Sequence, residues 1–310
     1  MLQRTATGTW MPAWVPESTL TLSILLLICS MVQSATNGYD GSMLNGVNML
    51  PAYTDYFTLN SVTKGLNTAS VSIGGFFGPL VSGVIADRIG RRPAVFWGSI
   101  VTLVGVLLQT AAQNIAMFVV ARVVLGLGSA VSGIAGGVYL SETFSSRWRA
   151  WGAGLLNDFY YRRGHLRNGP VAVNLGLARA LLDPGDLLAP LYLHFALHCS
   201  PESPRWLVNQ GYLEEARTVV AQTNSNGNLS DPVTLAVYKE IVDTITWEKT
   251  ERRSMKTMEI LKNPVTRKRL LVGMSAGPFS CIAGNVIASY YLAQSSTRPE
   301  LLGRMTNLKL

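Results

Sequence analysis

Charge is scarce in this sequence. Of 310 residues only 14% are charged, and histidine and cysteine occur three times each. Cys29 and Cys281 lie in apolar runs and Cys199 stands alone, which leaves neither a disulfide framework nor a Cys-x-x-Cys metal site. His194 and His198 beside Cys199 have metal-ligand spacing on a helix, but no carboxylate nearby would orient them, so they read as solvated histidines. Gly273-Met274-Ser275-Ala276-Gly277 has nucleophile-elbow spacing, yet it lies in an apolar run with no Asp or His after it. Gly126-Leu127-Gly128 lacks the strand, third glycine and downstream acid of a dinucleotide fold. No catalytic residue, metal or cofactor is expected, and the chain does not read as an enzyme.

What is abundant is apolar sequence in long blocks. Hydrophobic residues make up 48% of the chain and the mean hydropathy is +0.24. A bilayer core about 30 Å thick needs about 20 mostly apolar residues per helix. Blocks near 20–35, 66–86, 93–112, 115–140 and 270–293 meet that need, and a further run starts near 150. The fold class is therefore all-α, a polytopic membrane protein. The run 20–35 also resembles a cleaved signal peptide, but it continues into polar sequence and more spans follow, which favours a retained helix.

The formal charge of +8 fits this arrangement better than it fits a nucleic-acid partner. Arg88, Arg91 and Arg92 follow the second block, Arg147 and Arg149 follow the fourth, and Arg267, Lys268 and Arg269 precede the last. The alternate loops carry a single lysine, Lys64. Positive loops face the cytosol, which places the amino terminus there too. No basic run interleaved with aromatics offers a nucleic-acid groove.

Residues 1–161 read as an amino-terminal transmembrane bundle. Its spans are rich in small residues, with Gly74, Gly78 and Gly83 in the second and Gly126, Gly128, Gly133 and Gly137 in the fourth. Small residues let helix backbones approach closely in lipid. Segment 162–199 breaks the pattern: Arg162, Arg163, His165 and Arg167 stand where a fifth span should continue. Two spans are expected to be missing there, with a frame shift or mis-set exon boundary at each junction. Residues 200–269 read as a cytosolic linker of short helices with Leu213, Ala216 and Val220 at core spacing and a turn-rich break at 224–232. Residues 270–294 form one further span, and 295–310 an unmatched tail.

Two charges fall inside spans. Asp40 ends the polar tail of the first and Arg122 lies within the fourth, where an ionised group costs about 2.5–3.5 kcal/mol on insertion scales. An Asp40–Arg122 pair would satisfy both, and protonating Asp40 would release Arg122. The alternative is snorkelling of Arg122 to an interface.

Seven motifs occur in order: Gly38-Tyr39-Asp40, Asp87-Arg88-Ile89-Gly90-Arg91-Arg92, Arg122 to Gly128, Tyr139-Leu140-Ser141-Glu142, Arg147-Trp148-Arg149, Pro201-Glu202-Ser203-Pro204-Arg205, and Gly284-Asn285 with Ser289-Tyr290-Tyr291. Together, over about 36–161 and 200–293, they resemble the sugar porter family of the major facilitator superfamily, nearest to fungal lactose permease-like and hexose transporters. The resemblance implies two six-helix halves with a hexose or a disaccharide such as lactose bound between them, and access alternating between faces. It implies proton symport through Asp40, restrained by Arg122. It also implies a cytoplasmic gate network of Gly83, Asp87, Arg88, Gly90, Arg91, Arg92, Glu142, Arg149, Glu202 and Arg205.

By position, Asn157, Asn285 and Tyr290 are the expected sugar contacts, while Cys281 stands where the family has a Gln. The expected partners are sugar, protons and the lipid bilayer, with no nucleic acid and no obligate protein partner. The expected location is the plasma membrane. With most of the second half lacking, this chain is expected to transport poorly or not at all. The competing reading is a non-transporting remnant or a sensor-like membrane protein.

Overall fold

The computed structural model describes residues 2–5, 13–16, 18–32, 57, 60–145, 148–152, 154, 199–250 and 262–282. Contacts divide the chain into Met1–Asp243 and Thr244–Leu310. The described structure is helical apart from a two-stranded antiparallel ribbon, β1 (Leu2–Thr5) with β2 (Ala13–Pro16), in which Leu2 faces Pro16. The all-α reading did not anticipate that ribbon, whose strands of four residues are too short to show an alternating pattern.

The first unit is built on three helices: α2 (Ser61–Ile89), α3 (Arg91–Thr110) and α4 (Ile115–Thr143). Preceding them is α1 (Thr19–Val32), a shorter apolar helix. The three long ones, counted over Val62–Ile89, Arg91–Thr110 and Ile115–Thr143, are long and apolar enough to cross a membrane. Residue 40, segment 155–198 and residues 283–310 lie outside the described residues.

Helix α4 is the centre, packed against α2 on one side and α3 on the other. These contacts are backbone on backbone. A methyl added at Gly74 of α2 would overlap the Val123 carbonyl of α4, and one at Gly126 of α4 would overlap the Val71 carbonyl of α2. On the other side, an added methyl at Gly105 of α3 would lie 2.8 Å from the Leu125 Cα. Because lipid gives apolar helices no reason to leave it, such close van der Waals approach is what holds them together.

Two expected packing glycines do not take part, since added methyls at Gly83 and Gly137 would meet nothing within 4 Å. They sit on faces turned away from neighbouring helices, a distinction that spacing alone does not make. Outward on α2, Phe76, Phe77, Leu80 and Val84 are exposed, an apolar surface suited to lipid. Inward from α1, Leu22, Leu26 and Cys29 recur at helical spacing and pack with Ala86, Ala94, Val95, Ala135, Tyr139, Leu140 and Phe144.

The linker forms α5 (Pro204–Gln210), α6 (Leu213–Asn224) and α7 (Pro232–Thr250), and the turn-rich stretch separates the last two as its composition suggests. Ser203 caps α5 by accepting the Trp206 N–H at 3.3 Å, Pro204 opens it, and Gly211 closes it at φ 91°. On α6, Ala216, Val219 and Val220 are buried, whereas Leu213 is 44% exposed. The expected core position at Leu213 is thus incorrect, because that residue is the first of the helix and lies beyond its packed face.

The described part of the second unit holds the end of α7 and α8 (Pro264–Ile282). Helix α8 starts before the apolar block does and includes Arg267, Lys268 and Arg269, all exposed. Ser275 is mid-helix, its hydroxyl donating to the Val272 carbonyl at 2.8 Å. That is helix geometry, not the sharp strand-to-helix turn of a nucleophile elbow.

Candidate functional site

The turn between α2 and α3 is a single residue, Gly90, at φ 106°. Such a tight reversal leaves the last carbonyls of α2 and the first N–H groups of α3 without partners inside their own helices. Glycine has no side chain to cap α3, and the linker supplies what is missing. Glu202 Oε1 accepts the backbone N–H groups of Arg91 at 3.1 Å, Arg92 at 3.1 Å and Ser203 at 3.0 Å. A carboxylate at a helix N-terminus is also favoured by the helix dipole.

The carbonyl end of α2 is met from the same side. Trp206 Nε1 donates to the Asp87 carbonyl at 3.0 Å and Gln210 Nε2 to the same oxygen at 3.3 Å. Arg91 Nη1 donates to the Ala86 carbonyl at 3.1 Å and pairs with the Asp87 carboxylate at 2.9 Å. Helix α5 and Glu202 therefore close both open ends of one corner.

The end of α4 completes the cluster. Arg91 Nε lies 3.3 Å from Glu142 Oε2, with both side chains largely buried. The Ser203 hydroxyl donates to Glu142, and the Tyr139 hydroxyl donates to the Pro201 carbonyl at 2.7 Å. Gly90 is required here for space as well as for backbone angle, because a methyl on it would lie 2.7 Å from Glu202 Oε2. Burial pushes the Glu202 carboxyl above its ordinary value, opposed by the N–H groups it accepts and by the Arg92 charge.

Of the residues expected in this network, the structure brings together Asp87, Gly90, Arg91, Arg92, Glu142 and Glu202. Arg88 and Arg205 are exposed and make no ion pair among the described residues. Arg149 is turned to its own loop, Nη2 donating to the Phe144 carbonyl at 3.5 Å. Gly83 faces away from any neighbour. Ser203, Trp206, Gln210 and Tyr139 belong to the cluster without having been singled out for it. The Trp206 and Gln210 signals lay just beyond the Pro201–Arg205 motif.

Arg122 lies deeper, on α4, only 2% exposed. Its Nη1 donates to Gln109 Oε1 of α3 at 3.5 Å, and its guanidinium sits 5.9 Å from the centre of the Phe118 ring. It is enclosed in the bundle instead of reaching an interface. Asp40, Asn157, Asn285 and Tyr290 lie outside the described residues, so the expected proton pair and sugar contacts have one described member, Arg122. No group of three or more His, Cys, Asp or Glu side chains that could hold a metal occurs among the described residues.

Comparison with known proteins agrees with this arrangement. The sequence profile of the family described as sugar (and other) transporter matches residues 26–295. A glucose transporter of Aspergillus flavus is 29% identical over 269 residues, covering 82% of this chain and 50% of the relative. A glucose transporter of Staphylococcus epidermidis is 30% identical over 273 residues, covering 86% and 57%. The chain thus spans about half the length of these relatives. Among solved structures, the xylose transporter of E. coli in a partially occluded inward-open conformation superposes with a TM-score of 0.68 at 18% identity, over 91% of this chain and 68% of that one. At that identity the match speaks for the fold.

Proposed function

This chain belongs to the sugar (and other) transporter family, and from that premise we propose that the protein moves a sugar across the plasma membrane by alternating access. The substrate class is a hexose; a disaccharide such as lactose is the narrower alternative. The observation that carries the reading is the α2–α3 corner, where Glu202 accepts three backbone N–H groups and Glu142 pairs with Arg91. A linker carboxylate fixed to the turn between two spans is a contact that can be made in one conformation and lost in another, as a gate requires.

In this reading the amino terminus and the corner face the cytosol, in line with the arginines clustered there. Asp87, Gly90, Arg91, Arg92, Glu142 and Glu202 form the core of the cytoplasmic gate, and Arg88, Arg149, Arg205 and Gly83 lie at its margin. Closing it joins the linker to the amino-terminal bundle; opening it exposes the open ends of α2 and α3 to water.

Proton coupling is assigned to Asp40 and Arg122. Arg122 is buried on α4, with Gln109 and the Phe118 ring among its contacts, and a buried guanidinium favours the ionised form of an acid close by. When Asp40 is protonated that attraction ends, and Arg122 is released. Asn157, Asn285 and Tyr290 are assigned to the sugar because hydroxyl-rich ligands need paired donors and acceptors rather than charge.

The test is uptake of labelled glucose and lactose by a transporter of the relatives' length that contains this chain, in cells that lack their own uptake of both, since the chain alone is expected to transport poorly or not at all. Saturable glucose uptake, abolished by Asp40→Asn and stimulated by external acid in the parent, is the expected result. Absence of uptake of either sugar, with the protein present in the membrane, would overturn the reading.

A further inference from the structure

The linker meets the bundle a second time, at the first residue of α1. The Thr19 N–H donates to Asn226 Oδ1 at 2.9 Å, and the Asn226 N–H donates back to Thr19 Oγ1 at 2.8 Å. The Thr19 hydroxyl in turn donates to the Gln222 carbonyl at 2.9 Å. Helix α1 thereby has its N-terminus capped by a side chain 207 residues away.

The α6–α7 turn is shaped to do this. Asn226 and Gly227 stand at φ 48° and 81°, a left-handed conformation that asparagine and glycine adopt more readily than other residues. The Gly227 N–H donates to the Ala221 carbonyl at 3.0 Å, and Thr234 Oγ1 donates to Ser225 Oγ at 2.9 Å. The turn is held by its own bonds and presents Asn226 outward to Thr19.

Beneath these bonds lies an opposing cost. The Gln222 side chain is 1% exposed, and among the described residues neither its Oε1 nor its Nε2 has a hydrogen-bond partner. An amide buried without partners forfeits the bonds that water gives it in the open state. Three hydrogen bonds favour the docked linker, and one side chain in the same turn of α6 opposes it.

We propose that the Thr19–Asn226 junction is a releasable clasp, closed by its reciprocal bonds and kept near balance by the unpaired Gln222 amide. It is separate from the corner at Gly90, since the two contacts share no residue. The clasp stands without the transport reading. Where that reading holds, release frees the start of the helix that leads towards Asp40, so that clasp and gate are two attachments of one linker.

Hydrogen exchange on the full chain in detergent tests this, read at the first turn of α1 and at residues 225–228. Asn226→Ala speeds exchange at the Thr19 amide by about tenfold or more, and Thr19→Val does the same at the Asn226 amide. Gln222→Leu, which keeps the volume and removes the unpaired groups, slows exchange at both sites by roughly fivefold. Asn226→Asp retains an oxygen acceptor and leaves the Thr19 amide near parental exchange, which keeps the test open if Asn226→Ala does not fold. Unchanged or faster exchange in Gln222→Leu, or exchange within about twofold of the parent in Asn226→Ala, would overturn the clasp. None of these outcomes depends on sugar uptake, so failure of the clasp and failure of the transport reading are told apart.

Discussion

Arg92 and Arg122 are both almost fully buried, at 1% and 2% exposed, yet they sit at different places in the bundle. Arg92 is the second residue of α3 at the corner, where its backbone N–H goes to Glu202 and its charge faces that carboxylate. Arg122 lies in the first third of α4, where Gln109 and the Phe118 ring meet it. A buried charge beside a buried opposite charge is held in place, and removing either one leaves the other stranded. The contacts of Arg122 include instead an amide oxygen of the neighbouring helix and a ring face of its own. The corner is built for holding, and in the proposed function the α4 arginine serves for switching.

Breaking the corner has the largest expected effect. Glu202→Ala removes the acceptor of three backbone N–H groups and leaves Arg92 without its counter-charge, which should cost about 3–5 kcal/mol. Thermal melting in detergent measures it; a cost below about 1 kcal/mol would make the corner an ordinary surface contact. Gly90→Ala comes next, since it forces a methyl to φ 106° and to within 2.7 Å of Glu202 Oε2. A loss of about 2 kcal/mol is expected on the same melting assay, and a neutral result would show that Glu202 can move aside.

The switching side should be softer. Gln109→Leu removes one neutral partner of Arg122 and is expected to cost about 1 kcal/mol of stability while shifting the pH dependence of uptake. Unaltered pH dependence would argue that Gln109 has no part in setting the Arg122 environment. The smallest effects separate packing glycines from idle ones. Gly126→Ala drives a methyl into the Val71 carbonyl and should destabilise by about 1–3 kcal/mol. Gly83→Ala meets open space and should be neutral or stabilising by roughly 0.5–1 kcal/mol.

Acid adds one further distinction. Burial raises the Glu202 carboxyl above its unfolded value, so the folded chain holds that proton more tightly. The stability this contributes is present below the ordinary glutamate value of about 4.3 and is lost as pH rises through the raised one. Relative to Glu202→Gln, the parent should therefore lose stability with rising pH across that window. A difference that does not change with pH would mean that Glu202 does not titrate there.

Much of this was legible in the sequence because membrane spans announce themselves. Apolar blocks of fixed length gave α2, α3 and α4, and the arginine-rich turn at Gly90 marked where two of them meet. Which motif answers which was less legible. Glu202 and Arg92 lie 110 residues apart, and no local pattern says that a linker carboxylate caps a helix elsewhere. Spacing also could not say which glycines face a neighbour: Gly83 and Gly137 were expected to pack and do not, while Gly98 and Gly105 of α3 pack against Ser132 and Leu125 unannounced. The β1–β2 ribbon and the exposed Leu213 were missed for the same reason, since both are set by tertiary context.

Reconstitution is the most direct test of the switching claim. A transporter of the relatives' length that contains this chain, reconstituted in liposomes with labelled glucose outside and an inward proton gradient, should concentrate the sugar, and Asp40→Asn should reduce this to slow equilibration. Equal accumulation by the parent with and without the gradient would contradict the account.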